Sequence, residues 1–550
     1  MNKKHNFMLI SGNIVDIIQQ KIYKGEIEIE DGMIKSIKEK ENVDNQFILP
    51  GFVDSHIHIE SSMMPPAEFS RFSIPQGTVA CVCDPHEIAN VCGVDGINFM
   101  IENANLSPMK FYFGAPSCVP ATEYDRAGAV LDSGDIEALM KRDDIHFLAE
   151  MMNYVGVIND DEEVWRKIQI SLKHGKPVDG HAPGLNGEDL RKYCSSGIST
   201  DHECMTMDEA IEKIQLGMKV LIREGSAAKN FEDLIPLIAV YPDMIMFCSD
   251  DKHPDDLIRN GHINTLVTRS LQLGYSIFDI LKAATLNPVK HYRLDVGLLQ
   301  QGDPADFIVV KDLNDFSCPE TWIGGEKVAS KGKALFEKSL LKENINQFNA
   351  LEINSDDIRV IPQGNKLRVI SIEEGQLSTD NNIADPLIEN GNIISDIQQD
   401  VLKIVVYNRY EKSKPAIGFI RNIGIKRGAF ASTVSHDSHN IVAVGTTDEM
   451  LVKAINAIVE KEGGIVAVDV NETYLLPLPI AGLMSDLPGL EVAEKYQLAE
   501  QAVRSYGSTM AAPFMTLAFM SLIVIPRLKI NDKGLFDGDS YQFIPVSFGE

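Results

Sequence analysis

Eight short apolar runs, separated by helical patterns, constrain the fold of this chain more than any other feature of its sequence. They lie between Gly51 and about Pro288, and amphipathic stretches such as residues 164–173 and 207–216 separate some of them. Eight strands that alternate with helices over roughly 240 residues have the size and rhythm of a (β/α)8 barrel. The sequence therefore predicts an α/β fold built on such a barrel. In chain order the runs read "ILPGFVDSHIH", "TVACVCD", "KFYFGAPS", "IHFLAEM", "KPVDGHA", "GISTDHE", "KVLIREGS" and "MIMFCSDD".

The segments on either side of the predicted barrel read as short strands and turns. Examples are "GEIEIEDGMIKSI" before it and "GLLQQGDPADFIVV" after it. Neither segment alone makes a sheet with two covered faces, so together they are expected to form one small β-sandwich with the barrel inserted. The predicted domains are residues 1–50 and 291–344 for the two parts of the sandwich, 51–290 for the barrel, and 345–550 for a C-terminal α+β domain. In that last domain, Thr446 and Glu449 form a capping-box pattern before an apolar helical stripe.

The first run carries two histidines in place of apolar residues. In a strand, residues two apart face the same way, so His56 and His58 are expected to project to one side, about 6–7 Å apart at the backbone. That separation lets a ring nitrogen of each histidine reach one metal ion at about 2.0–2.1 Å.

Other strands also end in residues of metal-ligand type. Carboxyl ends of barrel strands meet at one rim, where barrel active sites are assembled. Burying these groups together without a cation would leave unpaired charges and polar groups, at several kcal/mol each. The sequence therefore predicts a metal centre at this rim. The residues, besides the histidine pair, are Glu150, His181, His202 and the adjacent Asp250 and Asp251.

Four histidines and two carboxylates exceed the needs of a single tetrahedral ion with an open position. Two ions about 3.5–4 Å apart, bridged by a carboxylate and a hydroxide, fit the set better. Imidazoles and carboxylates without thiolate suit Zn, Mn, Fe or Co. The predicted assignment places His56, His58 and Asp250 on one ion, His181 and His202 on the other, and Glu150 between them.

Several segments together resemble the amidohydrolase superfamily, and within it the bacterial adenine deaminase family. Many binuclear members of the superfamily bridge their metals with a carboxylated lysine at the end of strand four, whereas this chain has no lysine from Arg142 through Arg166 and has Glu150 there. The resemblance covers essentially the whole chain. The segments that carry it are "LPGFVDSHIHIE", "HIHIESSMM", "DPHEIANV", "AEMMN", "GHAPGL", "TDHE", "CSDDKHPDDL", "GHIN", "ILKAATLNPVKHYRLDVGLLQQGDPADFIVV" and "VSHDSHNIVAVG".

The resemblance implies a hydrolase that converts adenine to hypoxanthine and ammonia in purine salvage or catabolism, by attack of a metal-bridging hydroxide on C6. It also implies two divalent ions, manganese first, with iron or zinc compatible, and a homo-oligomer such as a dimer. Two divalent ions bring the pKa of bound water from 15.7 towards ~7. Asp250 is the candidate proton shuttle, since it can hydrogen-bond the nucleophile while ligating. Asp251 is its near rival, and Glu203 either donates to a ring nitrogen or is a solvated rim carboxylate.

Some candidate substrate contacts follow from position along the chain, and others are implied by the resemblance. His86 and Glu87 follow the second strand, where loops of barrels supply specificity; the less favoured alternative is that they cap the next helix. The family setting of Glu60, just past the histidine pair, suggests a pocket contact. The resemblance also implies that the C-terminal domain brings a further segment to the barrel mouth; without it, exposed residues would be the better interpretation. That segment contains His436, Asp437 and His439.

Charge and cysteine usage limit the expected binding partners and the expected cellular compartment. A formal charge of −28 and a pI near 4.9 disfavour nucleic acid and membrane surfaces as partners. The small-molecule substrate, adenine, is what the resemblance implies. The first residues show no secretory pattern, and the longest apolar stretch is too short to span a membrane. Eight cysteines without a zinc or disulfide spacing indicate a reduced, cytoplasmic protein.

Two alternatives stay open at this point. One is another binuclear amidohydrolase that acts on a cyclic amide or on a different aminopurine. The other is a non-catalytic relative of the superfamily, which would be expected to have lost ligands, whereas this chain has all six.

Overall fold

The computed structural model describes residues 7–226, 228–317, 319–338, 344–373, 376 and 378–549. The described residues form two compact units. The first comprises residues 1–86, 98–118 and 131–341, and the second comprises residues 87–97, 119–130 and 342–550. The four predicted domain segments, with their boundaries, stay a prediction.

Strands from both flanks of the barrel combine, and they do so in one sheet among the described residues. The two flanks meet where β4 pairs antiparallel with β13, with Ile48 opposite Val309. Strands β1 and β2 alternate between exposed and buried positions, and their buried isoleucines pack with Phe307 in one apolar core. Among the described residues the strand order is β16-β15-β14-β13-β4-β1-β2-β3. These strands are β1 (Phe7–Asp16), β2 (Lys21–Glu30), β3 (Met33–Glu39), β4 (Phe47–Pro50), β13 (Phe307–Val310), β14 (Glu320–Ile323), β15 (Glu326–Ser330) and β16 (Lys333–Ala334).

The eight predicted barrel strands are all present in the described part of the chain. They are β5 (Phe52–Ile57), β6 (Thr78–Cys83), β7 (Lys110–Ala115), β8 (Ile145–Met151), β9 (Val178–Gly180), β10 (Thr200–Asp201), β11 (Lys219–Arg223) and β12 (Ile245–Cys248). Strands β5 to β9 form one parallel sheet in chain order, and β10 to β12 form another. Parallel bridges between Val178 and Ile198 and between Ile57 and Asp250 join the two sheets into a closed ring. The predicted (β/α)8 barrel is confirmed.

Helices connect the barrel strands and cover them. Strands such as β5 and β6 are buried along their whole length, as expected for parallel strands covered on both faces. The helices are α1 (Pro66–Ser73), α2 (His86–Ala104), α3 (Ser133–Met140), α4 (Tyr154–Ile158), α5 (Glu162–Lys173), α6 (Gly187–Ser195), α7 (Met207–Gln215), α8 (Phe231–Leu234), α9 (Pro254–Asn260), α10 (Ile263–Gln272), α11 (Ile277–Leu281) and α12 (Asn287–Tyr292).

The second unit is an α+β structure around one mixed sheet. Within the described residues its order is β18-β17-β22-β21-β24-β23-β25-β26, with β30 added beside β17. Its central strand β21 reads "VLKIVVY" and is buried throughout. The strands are β17 (Lys366–Ile372), β18 (Thr379–Ala384), β19 (Ile388–Glu389), β20 (Asn392–Ile393), β21 (Val401–Tyr407), β22 (Ala416–Arg421), β23 (Ala429–Ser432), β24 (Ile441–Gly445), β25 (Gly464–Val468), β26 (Thr473–Pro477), β27 (Leu528–Asn531), β28 (Gly534–Asp537), β29 (Gln542–Phe543) and β30 (Ser547–Phe548). The helices are α13 (Asp448–Lys461), α14 (Gly489–Ser505) and α15 (Pro513–Ala518).

Helix α13 is present as predicted, but its cap lies one residue later than the sequence pattern indicated. The hydroxyl of Thr447, not that of Thr446, accepts a hydrogen bond from the backbone N–H of Met450, at 3.3 Å. The hydroxyl of Thr446 donates instead to the carbonyl of Gly428, which anchors the end of β24. The apolar stripe of α13, with Leu451 and three further residues buried, packs on the sheet.

The cysteines and helices of the described residues bear on two expectations from the sequence, a reduced protein and the absence of a membrane-spanning segment. Seven cysteines are free thiols there, and Cys318 lies outside the described residues. None of the helices in the described segments is long and apolar enough to cross a bilayer.

The cap of α13 generates a local prediction. Replacing Thr447 by Ala removes the acceptor for the Met450 amide, and the loss of such a cap costs about 1 kcal/mol. We expect hydrogen exchange in the first turn of α13 to become roughly fivefold faster, since local opening becomes easier by that free energy. Hydrogen-exchange mass spectrometry measures this, and Thr447→Ser, which keeps the acceptor, is the matched control. Unchanged exchange in the alanine variant would show that Thr447 is not the cap.

A buried lysine in β27 generates a second prediction. The Nζ of Lys529 donates to the carbonyl of Phe519 at 3.0 Å, and burial lowers the pKa of Lys529 to about 7. An unfolded chain has a lysine pKa near ~10.4, so between these values it binds more protons than the folded chain. The contribution of Lys529 to stability is therefore complete at high pH and is lost as the pH falls towards 7.

We expect the difference in urea midpoint between the wild-type protein and the Lys529→Met variant to change as the pH rises from about 7.5 to 9.5, in favour of the wild type. Lys495→Met, at a partly exposed position of α14, is the control and should show no such trend. A pH-independent difference for Lys529→Met would contradict the lowered pKa.

Candidate metal centre and active site

The two histidines at the end of β5 lie side by side. His56 belongs to the strand and His58 follows it directly, and their Nε2 atoms are 3.1 Å apart. The carbonyl of Asp84 is 3.2 Å from Nδ1 of His58, which makes Nδ1 the donor and leaves the lone pair on Nε2. Both rings are buried, so two nitrogens converge on one point at the rim.

Glu150, in β8, lies between two groups of imidazoles. Its Oε1 is 3.2 Å from Nε2 of His58, while its Oε2 is 2.6 Å from Nδ1 of His181 and 3.2 Å from Nε2 of His202. Burial alone would raise the pKa of Glu150, but the three imidazoles outweigh it and hold that pKa well below its usual range. One buried carboxylate thus faces candidate ligands on both sides.

Asp250 completes the group around His56 and His58. Its Oδ1 lies 3.2 Å from Nε2 of His58 and 3.6 Å from Nε2 of His56. Its other oxygen accepts a hydrogen bond from Arg223 at 2.7 Å. The guanidinium and the two imidazoles, acting against burial, hold the pKa of Asp250 well below its usual range. Asp251, the rival candidate, contacts the hydroxyl of Ser61 instead.

Glu203 is paired with Arg223 rather than solvated. Arg223 contacts both carboxylate oxygens of Glu203, one through Nη1 and the other, at 3.2 Å, through Nη2. Burial would raise the pKa of Glu203, but the guanidinium lowers it below its usual range. Since Arg223 also contacts Asp250, one buried cation fixes the positions of two carboxylates at the rim.

The donor set fits divalent cations. Three overlapping groups of donor atoms, in each of which all atoms lie within 4.8 Å of one another, include all six predicted ligands. The groups are His56, His58 and Asp250; His56, Glu150 and His202; and His181, His202 and Glu203. Imidazole nitrogens mixed with carboxylate oxygens, without thiolates, suit manganese, iron or zinc. Converging buried lone pairs of this kind need a cation to be stable.

A fully buried lysine holds the two loops that carry His181 and His202. The Nζ of Lys213, in α7, lies 3.0 Å from Asp201 and 2.8 Å from Glu209, and it donates to the carbonyl of Ala182 at 2.7 Å. Asp201 in turn accepts from the backbone N–H of Glu203 at 2.6 Å and of Ala182 at 3.0 Å. The backbone next to His181 and the backbone next to His202 are thereby held in place.

The predicted substrate contacts fall into both compact units. Glu60 and His86 are buried in the first unit, and Nδ1 of His86 lies 3.5 Å from Oε1 of Glu150. In the second unit, Glu87 contacts the rings of His436 and His439 with its two oxygens, and Asp437 is also buried there. The roles of all six residues stay predictions.

Sequence reasoning missed two residues of this cluster, Arg223 and Asp84. Each ends or directly follows a barrel strand, in "KVLIR" and "TVACVCD", where a charged residue succeeds an apolar run. That is the signal used for the predicted ligands, and it applied equally to these two. Arg223 is not a metal-ligand residue type, and the contacts of both residues come from other strands, which the sequence of one strand does not show.

The class of protein follows from this fold and site. Residues 47–328, which include the whole ring of barrel strands, match the model of the Amidohydrolase family. Membership of this family implies divalent-metal binding, in agreement with the donor groups at the rim.

Comparison of the whole chain with known proteins identifies a family within the amidohydrolases. Residues 376–542 match the Adenine deaminase C-terminal domain. The chain is 51% identical over 548 residues to an adenine deaminase of Methanosarcina mazei, covering 97% of this chain and 98% of that protein. It is 50% identical over 538 residues to one of Sulfurovum sp., covering 98% and 99%. The chain belongs to the adenine deaminase family of amidohydrolases, and the resemblance indicated by its motifs is confirmed.

Among solved structures, that of β-aspartyl dipeptidase from Fervidobacterium islandicum AW-1 is similar. It is 15% identical and covers 61% of this chain and 100% of its own, with a TM-score of 0.46.

The buried lysine generates a prediction about stability. Lys213→Met leaves Asp201 and Glu209 without their cation, and breaking a buried ion pair in this way costs about 3–5 kcal/mol. Both tryptophans, Trp165 and Trp322, lie in the first unit, so tryptophan fluorescence in urea reports the unfolding of that unit.

The control for this prediction is a lysine at the surface. Lys192 lies 2.6 Å from Asp160, which is mostly exposed, and such pairs contribute at most about 1 kcal/mol. Lys192→Met should therefore shift the urea midpoint far less than Lys213→Met. Equal shifts would mean that the pairing of Lys213 does not hold the loops.

Proposed function

We propose that this chain hydrolyses adenine to hypoxanthine and ammonia. The observation that carries the proposal is the combination of an imidazole–carboxylate cluster at a barrel rim with about 50% identity, over nearly the full length, to proteins named adenine deaminase. In this reaction a C–O bond forms at C6 of the purine, and the bond from C6 to the exocyclic amino nitrogen breaks. One water is consumed, and its protons go to the leaving ammonia and to the ring.

The residues that would hold metal are those of the cluster. We assign His56, His58 and Asp250 to one divalent ion, His181 and His202 to a second, and Glu150 to a position between them. Manganese is favoured, with iron and zinc compatible with the same donors. When bound, such ions lower the pKa of water from 15.7 towards about 7 and so supply a nucleophile at neutral pH.

Asp250 is the proposed proton shuttle. Arg223 occupies one of its oxygens at 2.7 Å, which leaves the other directed at the imidazoles, where the attacking water would lie. An ionised carboxylate held in this way can accept a proton from the water and pass it to the leaving nitrogen. Asp251, in contact with Ser61, is the less favoured candidate.

Glu203 is the proposed contact to a ring nitrogen of the substrate. Because Arg223 holds it ionised, Glu203 cannot donate a proton at rest and has to receive one before delivering it. We further propose that Glu60, His86 and Glu87 contact the purine. His436, Asp437 and His439 are also proposed to contact the purine. Separately, the protein is proposed to be a cytoplasmic homo-oligomer, such as a dimer.

The test is an ammonia-release assay on protein loaded with Mn2+, with adenine, hydantoin and dihydroorotate as separate substrates. We expect turnover of adenine only, and its loss in the His56→Ala/His58→Ala double variant, because the first ion loses both of its imidazole ligands. His174→Ala, at the end of α5, is the control for histidine loss elsewhere. Turnover of hydantoin or dihydroorotate instead of adenine would favour the cyclic-amide alternative, and the absence of bound metal would favour a non-catalytic relative.

The shuttle role has a separate test. Asp250→Asn keeps an oxygen that can ligate but loses the proton acceptor, so kcat for adenine should fall by about 10²–10⁴-fold at unchanged metal content. Asp251→Asn, assayed in parallel with metal analysis, should have the smaller effect. Full turnover of a metal-loaded Asp250→Asn variant would eliminate the shuttle role.

A further inference from the structure

Asp84 and His86 lie against Glu150 but have no part in the assignment of two ions. Asp84 follows β6 and His86 begins α2. The Nδ1 of His86 is 3.2 Å from Oδ2 of Asp84 and 3.5 Å from Oε1 of Glu150. With His58, these residues form another group whose donor atoms all lie within 4.8 Å of one another, and all four are buried.

The carboxylate of Asp84 is incompletely satisfied. Its Oδ1 accepts a hydrogen bond from the backbone N–H of His86 at 3.0 Å. Its Oδ2 is buried and has no hydrogen-bond donor among the described residues, although it lies 3.2 Å from Nδ1 of His86. A buried carboxylate oxygen without a donor is costly, and a cation is one of the few partners that removes the cost.

The separations fit coordination of a single ion. Donor atoms bound to one ion at about 2.0–2.2 Å are about 3.0–3.5 Å from their neighbours in tetrahedral or octahedral arrangements. The distances from Nδ1 of His86 to the two carboxylate oxygens, 3.2 and 3.5 Å, lie in this range. One imidazole and two carboxylates are ligands that manganese, iron and zinc share.

We propose that Asp84, His86 and Glu150 form a third cation position beside the proposed pair, for a divalent ion such as Mn2+. The inference rests on the two-ion assignment above. It uses Nδ1 of His86, so the purine contact proposed above for that ring would be made by its Nε2. His58 is committed to the first ion, because its Nδ1 faces the carbonyl of Asp84 and a single lone pair remains on Nε2. A carboxylate oxygen has two lone pairs, so Glu150 can serve the third position as well as the pair.

The third position should be the weakest of the three. It has three protein donors, of which Glu150 is shared with neighbouring ions of the same charge, and like charges nearby oppose binding. Its remaining coordination positions would be taken by water or a small ligand. A proton in place of the ion would give a protonated His86 between two carboxylates, and metal counting separates these two states.

The experiment counts Mn2+ per chain. Metal-free full-length protein is titrated with Mn2+ in equilibrium dialysis, with bound metal measured by mass spectrometry. The wild type should reach three ions per chain, the third binding more weakly. Asp84→Asn removes the negative charge on which this weakest position depends, and His86→Gln removes its imidazole, so each variant should reach two. Asp306→Asn removes a buried carboxylate next to β13, in the sheet of the flanks, and should still bind three.

An anomalous difference map of wild-type crystals grown in Mn2+ gives a readout that needs no variant. A peak between Asp84, His86 and Glu150, in addition to two at the histidine pairs, supports the inference. Saturation of the wild type at two ions with peaks only at the pairs overturns it, and so does loss of a tightly bound ion in Asp84→Asn. Adenine turnover by wild-type protein that holds two ions would leave the proposed function intact while the third position fails.

Discussion

The burial of Glu150 among imidazoles is the interaction on which the candidate metal centre depends. The residue is 3% exposed, and an isolated carboxylate at that depth would be neutral rather than ionised. His58 on one side and His181 and His202 on the other hold its pKa low. A parallel ring of strands is a structure that can bring such groups together, because all its carboxyl ends open at the same rim. The charge of Glu150 therefore depends on the closure of the ring.

Buried polar anchors hold the strands that carry these groups in register. Asp54 accepts from the backbone N–H of Ser249 at 3.0 Å and lies 2.8 Å from Nε2 of His262, whose Nδ1 is 2.7 Å from the hydroxyl of Thr78. This network fixes β5 to β12, where the ring closes. Lys213 does the same for the loops of the other two histidines. Each side of the proposed pair thus has a supporting layer that limits the motion of its ligands.

Spacing along the chain was sufficient to predict the barrel, but not to predict side-chain contacts in either unit. Alternation of apolar runs and helical stripes predicted all eight strands, and the shared rim of a parallel ring predicted that the six candidate ligands would meet. The contact of Glu87 with His436 and His439 joins residues about 350 positions apart, and no periodicity encodes it. Two adjacent threonines could each cap α13, and the choice of Thr447 depends on Thr446 being held by Gly428, a contact between strand ends.

The choice between Asp250 and Asp251 shows why local rules fail at this rim. In a strand, successive side chains point to opposite faces, but β12 ends at Cys248 and Asp250 has a positive φ of 53°, so alternation no longer applies. Instead, the N–H of Asp250 donates to the carbonyl of His56 at 2.9 Å, and its own carbonyl accepts from His58 at 3.3 Å. These bonds exist only when the ring is closed. The carboxylate beside the histidines is therefore selected by barrel closure, a tertiary property, and the same bonds that close the fold place the proposed proton shuttle.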